Sequence, residues 1–272
     1  MDSTMSKSLL RSVEPYSESS LQPFGKLILA DGRTDLRDFQ GRALRSLLKK
    51  EKLILFRGFN PLQKKELMEF AASSQRDFLE WNFGPVMEMK PDRDPKNYLF
   101  SREAVPFHWD GAFHRTPSFL IFQCVSSPQA ESGGETLFTD THRIWTDTKA
   151  ELKDIWQKVS LTYSTEKLAH YGGSFTTALI ETHPERGEVI LRFAEPVETK
   201  LNPVTLEIHG LSKTLSELFF RDLVRKIYSP KYCYAHSWEE GDILIADNHS
   251  LLHGRNAFDT ETQRHLRRIQ LL

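Results

Sequence analysis

Cysteine is scarce in this chain, and long apolar runs are absent from it. Only Cys124 and Cys233 occur among 272 residues, and each lies in an apolar, strand-like context that favours a buried free thiol over a disulfide. No stretch approaches the roughly 18 apolar residues that a membrane-spanning helix needs, and residues 1–21 contain no apolar leader segment. We therefore expect a soluble cytoplasmic protein without a membrane partner.

An excess of charge of one sign is also lacking. The chain has 36 basic and 37 acidic residues, which gives a formal net charge of −1 and a pI near 6.8. Without a basic excess there is no electrostatic case for nucleic acid or for an anionic membrane surface as a partner. The expected partner is a small-molecule substrate, and the sequence leaves a homo-oligomer open.

No internal repeat, proline-rich linker or glycine-rich phosphate loop divides the sequence. A chain of this length with these properties is often one domain. We expect a single domain over residues 1–272, in which the serine-rich, polar residues 1–20 are a loosely ordered tail. A two-domain α/β enzyme is the alternative, and the missing phosphate loop argues against it.

The hydrophobic pattern alternates between helical and extended segments. Helical spacing of apolar residues predicts helices at residues 36–51, 61–78, 142–159 and 212–228. Short apolar runs bounded by turn residues predict buried strands at residues 53–59, 119–125 and 243–246. Turn signals between residues 161 and 204 predict hairpins or a cover over an active site. The fold class expected is mixed and mainly β.

His108-Trp109-Asp110 places an imidazole and a carboxylate two positions apart. On an extended strand both side chains point to the same face and Trp109 points away, so His108 and Asp110 can reach one ion. So short a motif also arises by chance in a chain with ten histidines. Taken alone, it fits equally a histidine and an aspartate in ordinary hydrogen bonds.

His253 supplies a third donor far along the chain. It follows the strand predicted at residues 243–246 and the turn at Asp247-Asn248, and Gly254 after it allows close backbone packing. Two imidazoles and one carboxylate hold ferrous iron on one face and leave the opposite face open for chemistry. The same donors could instead bind zinc and activate water.

Arg264 indicates which of these chemistries applies. Strand alternation places Arg264, Leu266 and Arg268 on one face, and His265, Arg267 and Ile269 on the other. A buried arginine needs an anion, because an unpaired buried charge is costly. A dicarboxylate cosubstrate would supply that anion, whereas a hydrolase has no need of one.

Together these segments resemble the iron(II)- and 2-oxoglutarate-dependent oxygenases related to taurine dioxygenase. The resemblance covers residues 50–272 and depends on the order of four segments: His108-x-Asp110, residues 133–140, Asp247-Asn248 with His253, and Arg264. It implies a distorted double-stranded β-helix, or jelly roll, with flanking α-helices. It also implies Fe(II), 2-oxoglutarate and O2 as cofactors.

The resemblance assigns roles to individual residues. His108, Asp110 and His253 match the catalytic iron ligands, and Thr136 and Arg264 match the partners of the distal carboxylate of 2-oxoglutarate. Without the resemblance, Thr136 would fit an ordinary strand threonine.

Two features bear on the substrate. Arg268 matches a position that faces the substrate anion in the taurine enzyme, but Ala104 stands where that enzyme has a substrate-binding asparagine, which argues against taurine. The block at residues 106–113 is most similar to the branch of the family that acts in isonitrile natural-product biosynthesis. Those enzymes oxidise amino-acid-derived isonitriles, such as that of tyrosine. We therefore expect hydroxylation or desaturation of a small amino-acid-derived substrate.

The remaining candidates have alternatives. Phe107 fits either a substrate pocket or the core, and His114 fits either a substrate contact or a surface histidine. His249 fits a structural turn, and Arg267 fits a solvated or salt-bridged residue. For the whole protein, a zinc-dependent hydrolase or a non-catalytic small-molecule binder on the same scaffold is the alternative to an oxygenase.

Overall fold

Strands predominate in the described part of this computed structural model, which comprises residues 16–127, 131–168, 171–259 and 263–272. The strands are β1 Tyr16–Ser20, β2 Lys26–Ala30, β3 Leu53–Arg57, β4 Val86–Met89, β5 Val105–His108, β6 Phe119–Ser126, β7 Thr136–Asp140, β8 Ser160–Leu168, β9 Tyr171–Ala178, β10 Ile180–Thr182, β11 Val189–Leu191, β12 Thr205–His209, β13 Cys233–His236, β14 Ile243–Asp247, β15 Leu251–Arg255 and β16 His265–Leu271. The α-helices are α1 Arg42–Lys50, α2 Lys64–Ala72, α3 Thr141–Asp147, α4 Ala150–Trp156 and α5 Lys213–Ile227.

Two sheets face each other and form the jelly roll. The large sheet has the order β1-β2-β3-β14-β6-β16-β4, and the small sheet has the order β13-β7-β15-β5. Side chains of both sheets share one apolar cluster, in which the Phe122 and Phe138 rings lie 6.2 Å apart. This architecture confirms the expected double-stranded β-helix with flanking helices.

The central strands of the large sheet are buried on both faces. In β3, Leu53 and Leu55 join the cluster between the sheets, whereas Ile54 and Phe56 join a second cluster with α1 and α2. Strands β6 and β14 alternate in the same way. Burial on both faces explains why these segments are continuous apolar runs, and the strands predicted at residues 53–59, 119–125 and 243–246 are confirmed.

The outer face of the small sheet is covered by the other three helices and by the β8–β9 hairpin. Phe107 of β5, Leu137 of β7 and Leu252 of β15 share a third cluster with Trp156 of α4 and Phe219 of α5. The hairpins predicted between residues 161 and 204 are present as β8–β9 and β10–β11. Their strands lie over this outer face.

The prediction of a loose tail over residues 1–20 is wrong at its end. Residues 1–15 lie outside the described part, but Tyr16–Ser20 forms β1 and pairs with β2 from Tyr16–Ala30 to Ser20–Lys26. A polar, serine-rich strand is tolerated there because β1 is at the edge of the sheet, with four of its five residues exposed.

Two predicted helices are interrupted. Residues 36–51 form a 3-10 turn at Leu36–Phe39 and then α1, because Gly41 adopts a φ of 62° between them. Residues 142–159 form α3 and α4, because Thr148 is extended and its hydroxyl donates to the Ile144 carbonyl at 2.7 Å. The helix at residues 61–78 is shorter than predicted, and the helix at residues 212–228 is confirmed as α5.

Cys124 and Cys233 are free thiols, as expected, and burial raises the pKa of Cys124 to about 12 and of Cys233 to about 11. Among the described helices, none combines the length and the apolar character needed to cross a membrane. The single domain, the cytoplasmic location, the homo-oligomer and the lack of a nucleic-acid partner stay predictions.

Asp247 holds the turn between β14 and β15. It is 1% exposed and accepts hydrogen bonds from the Ser250 hydroxyl at 3.0 Å, from His183 Nε2 at 3.0 Å and from Arg186 Nε at 3.1 Å. The Arg186 guanidinium also donates to carbonyl groups of residues 48–51 at the end of α1. Burial by itself would raise the pKa of Asp247, but these partners lower it to about 2.

We expect Asp247→Asn to lower the free energy of unfolding by about 3 kcal/mol, because it leaves the partly buried Arg186 and the buried His183 without their carboxylate partner. The lowered pKa means that the ionised carboxylate stabilises the fold above about pH 4, and that this stabilisation is lost as the pH falls towards 2. Denaturant unfolding at pH 7 and at pH 3 measures both effects. The exposed Asp154→Asn is the control, and equal stability of the two variants at pH 7 would contradict this role.

Candidate active site

Strand pairing brings the two candidate histidine ligands together. His108 at the end of β5 is the direct partner of His253 in β15, and their rings lie 4.2 Å apart. The pairing is irregular, since Arg255 is opposite Val105, and this bulge lets Val105 and His108 both line the same cavity. A Cβ on Gly254 would lie 2.8 Å from the Val105 carbonyl oxygen, so the close approach of the two strands requires glycine.

Asp110 completes the cluster. Its Oδ1 lies 3.7 Å from Nε2 of His108 and 3.7 Å from Nε2 of His253. All three donor atoms lie within 4.8 Å of one another, and among the described residues this is the group of histidine, cysteine and acidic side chains that could hold a metal ion. His108 Nδ1 is 2.9 Å from the Pro106 carbonyl oxygen, so Nδ1 carries the proton and Nε2 has the free lone pair.

The orientation of Asp110 is fixed by three neighbours. Asn248 accepts a hydrogen bond from the Asp110 amide at 2.9 Å and donates to the Asp110 carbonyl at 3.0 Å. Arg268 Nη1 lies 2.9 Å from Asp110 Oδ2, and Gln270 donates to the same oxygen at 2.5 Å. Because Oδ2 is engaged twice, Oδ1 is the oxygen that faces the two histidines.

The electrostatics of the cluster suit a divalent cation. Burial lowers the pKa of His108 and, together with the charge of its neighbour His108, lowers that of His253 well below the usual value. Burial alone would raise the pKa of Asp110, but Arg268 and the two histidines outweigh burial and hold this pKa below its usual value. At neutral pH the site therefore has two neutral imidazoles and one carboxylate, which is the form that binds metal.

Thr136 and Arg264 meet beside the metal ligands. Arg264 donates from Nη2 to Thr136 Oγ1 at 3.1 Å and from Nε to the Gly134 carbonyl at 3.0 Å. Both residues line one cavity with His108 and His253. No described carboxylate lies within ion-pair distance of Arg264, and burial lowers its pKa to about 9. This is the inward, unpaired arginine that the sequence predicted.

The Thr136 hydroxyl is set up to donate. Its oxygen accepts from Arg264 and also from Trp238 Nε1 at 2.9 Å. With two hydrogen bonds accepted, the hydroxyl hydrogen is left to donate to a further acceptor. An arginine and a hydroxyl donor together suit a carboxylate.

The other candidates are spread over the structure. Arg268 lies by the metal ligands but pairs with Asp110. His114 is exposed, with its ring 5.8 Å from that of Trp81. Phe107 is fully buried on the opposite face of β5, against Tyr228 at 4.8 Å, so core packing accounts for it and it does not line the cavity.

The structural roles predicted for His249 and Arg267 agree with their contacts. His249 lies beside Arg192, 2.6 Å from its Nη2. Arg267 pairs with Glu88 at 3.4 Å on the outer face of β16. Neither contacts the metal cluster.

Four residues that the structure places at the site have no role there assigned from the sequence: Asn248, Gln270, Trp238 and Arg255. Asn248 is recognised in the sequence only as part of a turn and of the family pattern. Gln270 continues the inward face of Arg264, Leu266 and Arg268, so strand alternation was a signal for it. Trp238 and Arg255 are recognised only through partners distant in sequence.

A model of the family described as "Taurine catabolism dioxygenase TauD, TfdA family" matches residues 17–270. The chain belongs to this family. The expected family, fold and cofactors are confirmed, and the protein is an iron(II)- and 2-oxoglutarate-dependent dioxygenase. A zinc hydrolase and a non-catalytic binder are no longer needed as alternatives.

Curated relatives indicate which branch of the family this chain is similar to. The chain is 44% identical over 264 residues to the 3-((Z)-2-isocyanoethenyl)-1H-indole synthase of Fischerella ambigua, covering 94% of this chain and 96% of that protein. It is 33% identical over 261 residues to the tyrosine isonitrile desaturase of Pseudomonas aeruginosa, covering 93% and 89%.

Solved structures agree with this placement. PvcB, described as an Fe, alpha-ketoglutarate dependent oxygenase from an isonitrile synthetic pathway, superposes with a TM-score of 0.78 at 28% identity, over 100% of this chain and 94% of that chain. A taurine dioxygenase from Burkholderia xenovorans has a TM-score of 0.68 at 18% identity, over 95% and 91%, and shares the fold.

We expect Asn248→Ala to weaken Fe(II) binding by about 10- to 100-fold, because the backbone of Asp110 loses the side chain that holds it. Calorimetric titration of the oxygen-free protein with Fe(II) measures this. Asn60→Ala, at an exposed asparagine bonded to the Arg33 carbonyl, is the matched control. Wild-type affinity in Asn248→Ala would show that Asp110 is positioned without it.

Proposed function

We propose that this oxygenase acts on an isonitrile derived from an aromatic amino acid and desaturates it. One observation carries the proposal: the donor atoms of His108, Asp110 and His253 lie within 4.8 Å of one another beside a cavity that also contains Thr136 and Arg264. That arrangement suits oxidation at carbon with a dicarboxylate cosubstrate. The two curated relatives named above support the substrate class.

His108 and His253 would hold iron through Nε2, and Asp110 through Oδ1. Bound iron, with 2-oxoglutarate and O2, supplies an oxidant strong enough to remove hydrogen from an aliphatic carbon while 2-oxoglutarate is converted to succinate and CO2. The contribution of the protein is to orient the reactants and to exclude water. Phe122 and Leu266 supply apolar walls to the cavity for the second task.

Arg264 and Thr136 are our proposed partners for the distal carboxylate of 2-oxoglutarate. Arg264 brings a buried positive charge without a described counter-ion, and Thr136 brings a hydroxyl hydrogen whose oxygen is already engaged by two donors. Such charge-assisted bonds are stronger than neutral ones.

Arg268 and His114 stay our candidates for substrate contact. Arg268 is 4% exposed, and although its Nη1 pairs with Asp110, its Nε is buried without a hydrogen-bond partner. A buried unpaired donor is costly, and the carboxylate of an amino-acid-derived substrate would satisfy it. His114 lies further out, beside Trp81, and does not line the described cavity.

Turnover assays with isonitriles of tryptophan and tyrosine test the proposed reaction. With Fe(II), 2-oxoglutarate and O2, we expect one succinate per product, and a product that has lost two hydrogens, with or without its carboxyl group as CO2. Mass spectrometry separates these from a hydroxylated product, which gains one oxygen. Asp110→Ala should form neither product nor succinate while remaining folded; failure of both isonitriles to stimulate succinate formation in the wild type would refute the substrate class.

We expect Arg264→Ala to raise the KM for 2-oxoglutarate by about 10- to 100-fold, because hydrogen bonds to a charged group contribute about 1.5–3 kcal/mol. Initial rates of succinate formation at varied 2-oxoglutarate measure this. Arg267→Ala is the matched control, because it removes an arginine three residues further on, which pairs with Glu88 on the other face of β16. An unchanged KM in Arg264→Ala would remove it from the cosubstrate site.

A further inference from the structure

Arg255 is a second buried arginine in the cavity. It ends β15, two residues after His253 on the same inward face, and its direct cross-strand partner in β7 is Thr136. Directly opposed residues have Cβ atoms about 5 Å apart. Arg255 is 7% exposed and lines the cavity together with Thr136 and Arg264.

The contacts of Arg255 leave its charge without a counter-ion. Nη1 donates to the Leu99 carbonyl at 2.9 Å, and Nη2 donates to the carbonyls of Ser101 at 2.8 Å and Glu103 at 2.6 Å. Its Nε is buried and has no hydrogen-bond partner. These partners are neutral, and no described carboxylate lies within ion-pair distance.

Arg255 and Arg264 lie on the same aromatic ring. Their guanidinium carbons are 5.1 Å and 5.9 Å from the centre of the Phe258 ring. After burial itself, the charge of Arg255 is the next cause of the lowered pKa of Arg264. A ligand that brings negative charge into the cavity would therefore stabilise both of these buried cations, which repel each other.

We propose that Arg255 is a second cationic binding residue for the distal carboxylate of 2-oxoglutarate, so that the cavity selects a dicarboxylate over a monocarboxylate keto acid. This inference rests on the proposed function. The charge of Arg255 acts beside Thr136 and adds to that of Arg264. Its three carbonyl contacts hold residues 99–103, the segment that leads to β5 and His108.

A purely structural role makes a different prediction. If Arg255 served only to hold residues 99–103, its loss would disturb the whole site and weaken the binding of every keto acid to the same extent. If Arg255 acts on the distal carboxylate, its loss weakens the binding of 2-oxoglutarate and leaves that of 2-oxovalerate unchanged. The reason is that 2-oxovalerate has the same chain length but no distal carboxylate.

Calorimetric titration of the Fe(II)-loaded, oxygen-free protein with each keto acid separates these roles. We expect Arg255→Met to raise the Kd for 2-oxoglutarate about 10-fold with the Kd for 2-oxovalerate unchanged, and Arg255→Lys to retain most of the preference because it retains the charge. Equal weakening of both ligands, or no change in either, would overturn the inference. Should Arg255→Met not fold, Arg255→Gln replaces it, since glutamine keeps donors for the carbonyl groups but has no charge.

Arg264→Ala in the same titrations distinguishes failure of this inference from failure of the proposed cosubstrate site. Loss of the preference in Arg264→Ala but not in the Arg255 variants overturns only the role of Arg255. Retention of the preference in Arg264→Ala and in the Arg255 variants overturns the cosubstrate site itself.

Discussion

The pairing of β5 with β15 is the interaction on which the rest of the site depends. It places His108 opposite His253, although the two are far apart in sequence, and it closes the small sheet against the outer helices. The absence of a side chain on Gly254 lets the strands approach. The third ligand is positioned by other residues. Asn248 holds the backbone of Asp110, and Arg268 orients the Asp110 carboxylate.

Much of this arrangement could be predicted from the sequence because it follows from strand periodicity. Two-residue spacing correctly grouped His108 with Asp110, although Asp110 lies in the turn after β5 and is held there by Asn248. The same spacing separated Arg264, just before β16, and Arg268 from Arg267. Apolar runs identify the central strands because both of their faces are buried. These signals are local, and local patterns can be recognised from one chain.

The features that the sequence did not predict depend on contacts between distant residues or on side chains that compete with the backbone for hydrogen bonds. The helix ends at Thr148 because the Thr148 hydroxyl donates to the Ile144 carbonyl, which a backbone N–H would bond in a continuous helix. The edge strand β1 has no apolar pattern because most of its residues are exposed to water. Trp238 and Arg255 look ordinary in sequence. Their importance comes from Thr136, which contacts the first and lies opposite the second across the sheet.

The turn at residues 247–250 connects two parts of the site. Asp247 anchors this turn to the end of α1 through Arg186, Asn248 grips Asp110, and β15 with His253 begins immediately afterwards. A cation bound at this site would bridge strands that are far apart in the unfolded chain, so its binding free energy adds to the free energy of unfolding. A variant that loosens this turn would then lower both the affinity for iron and the melting temperature.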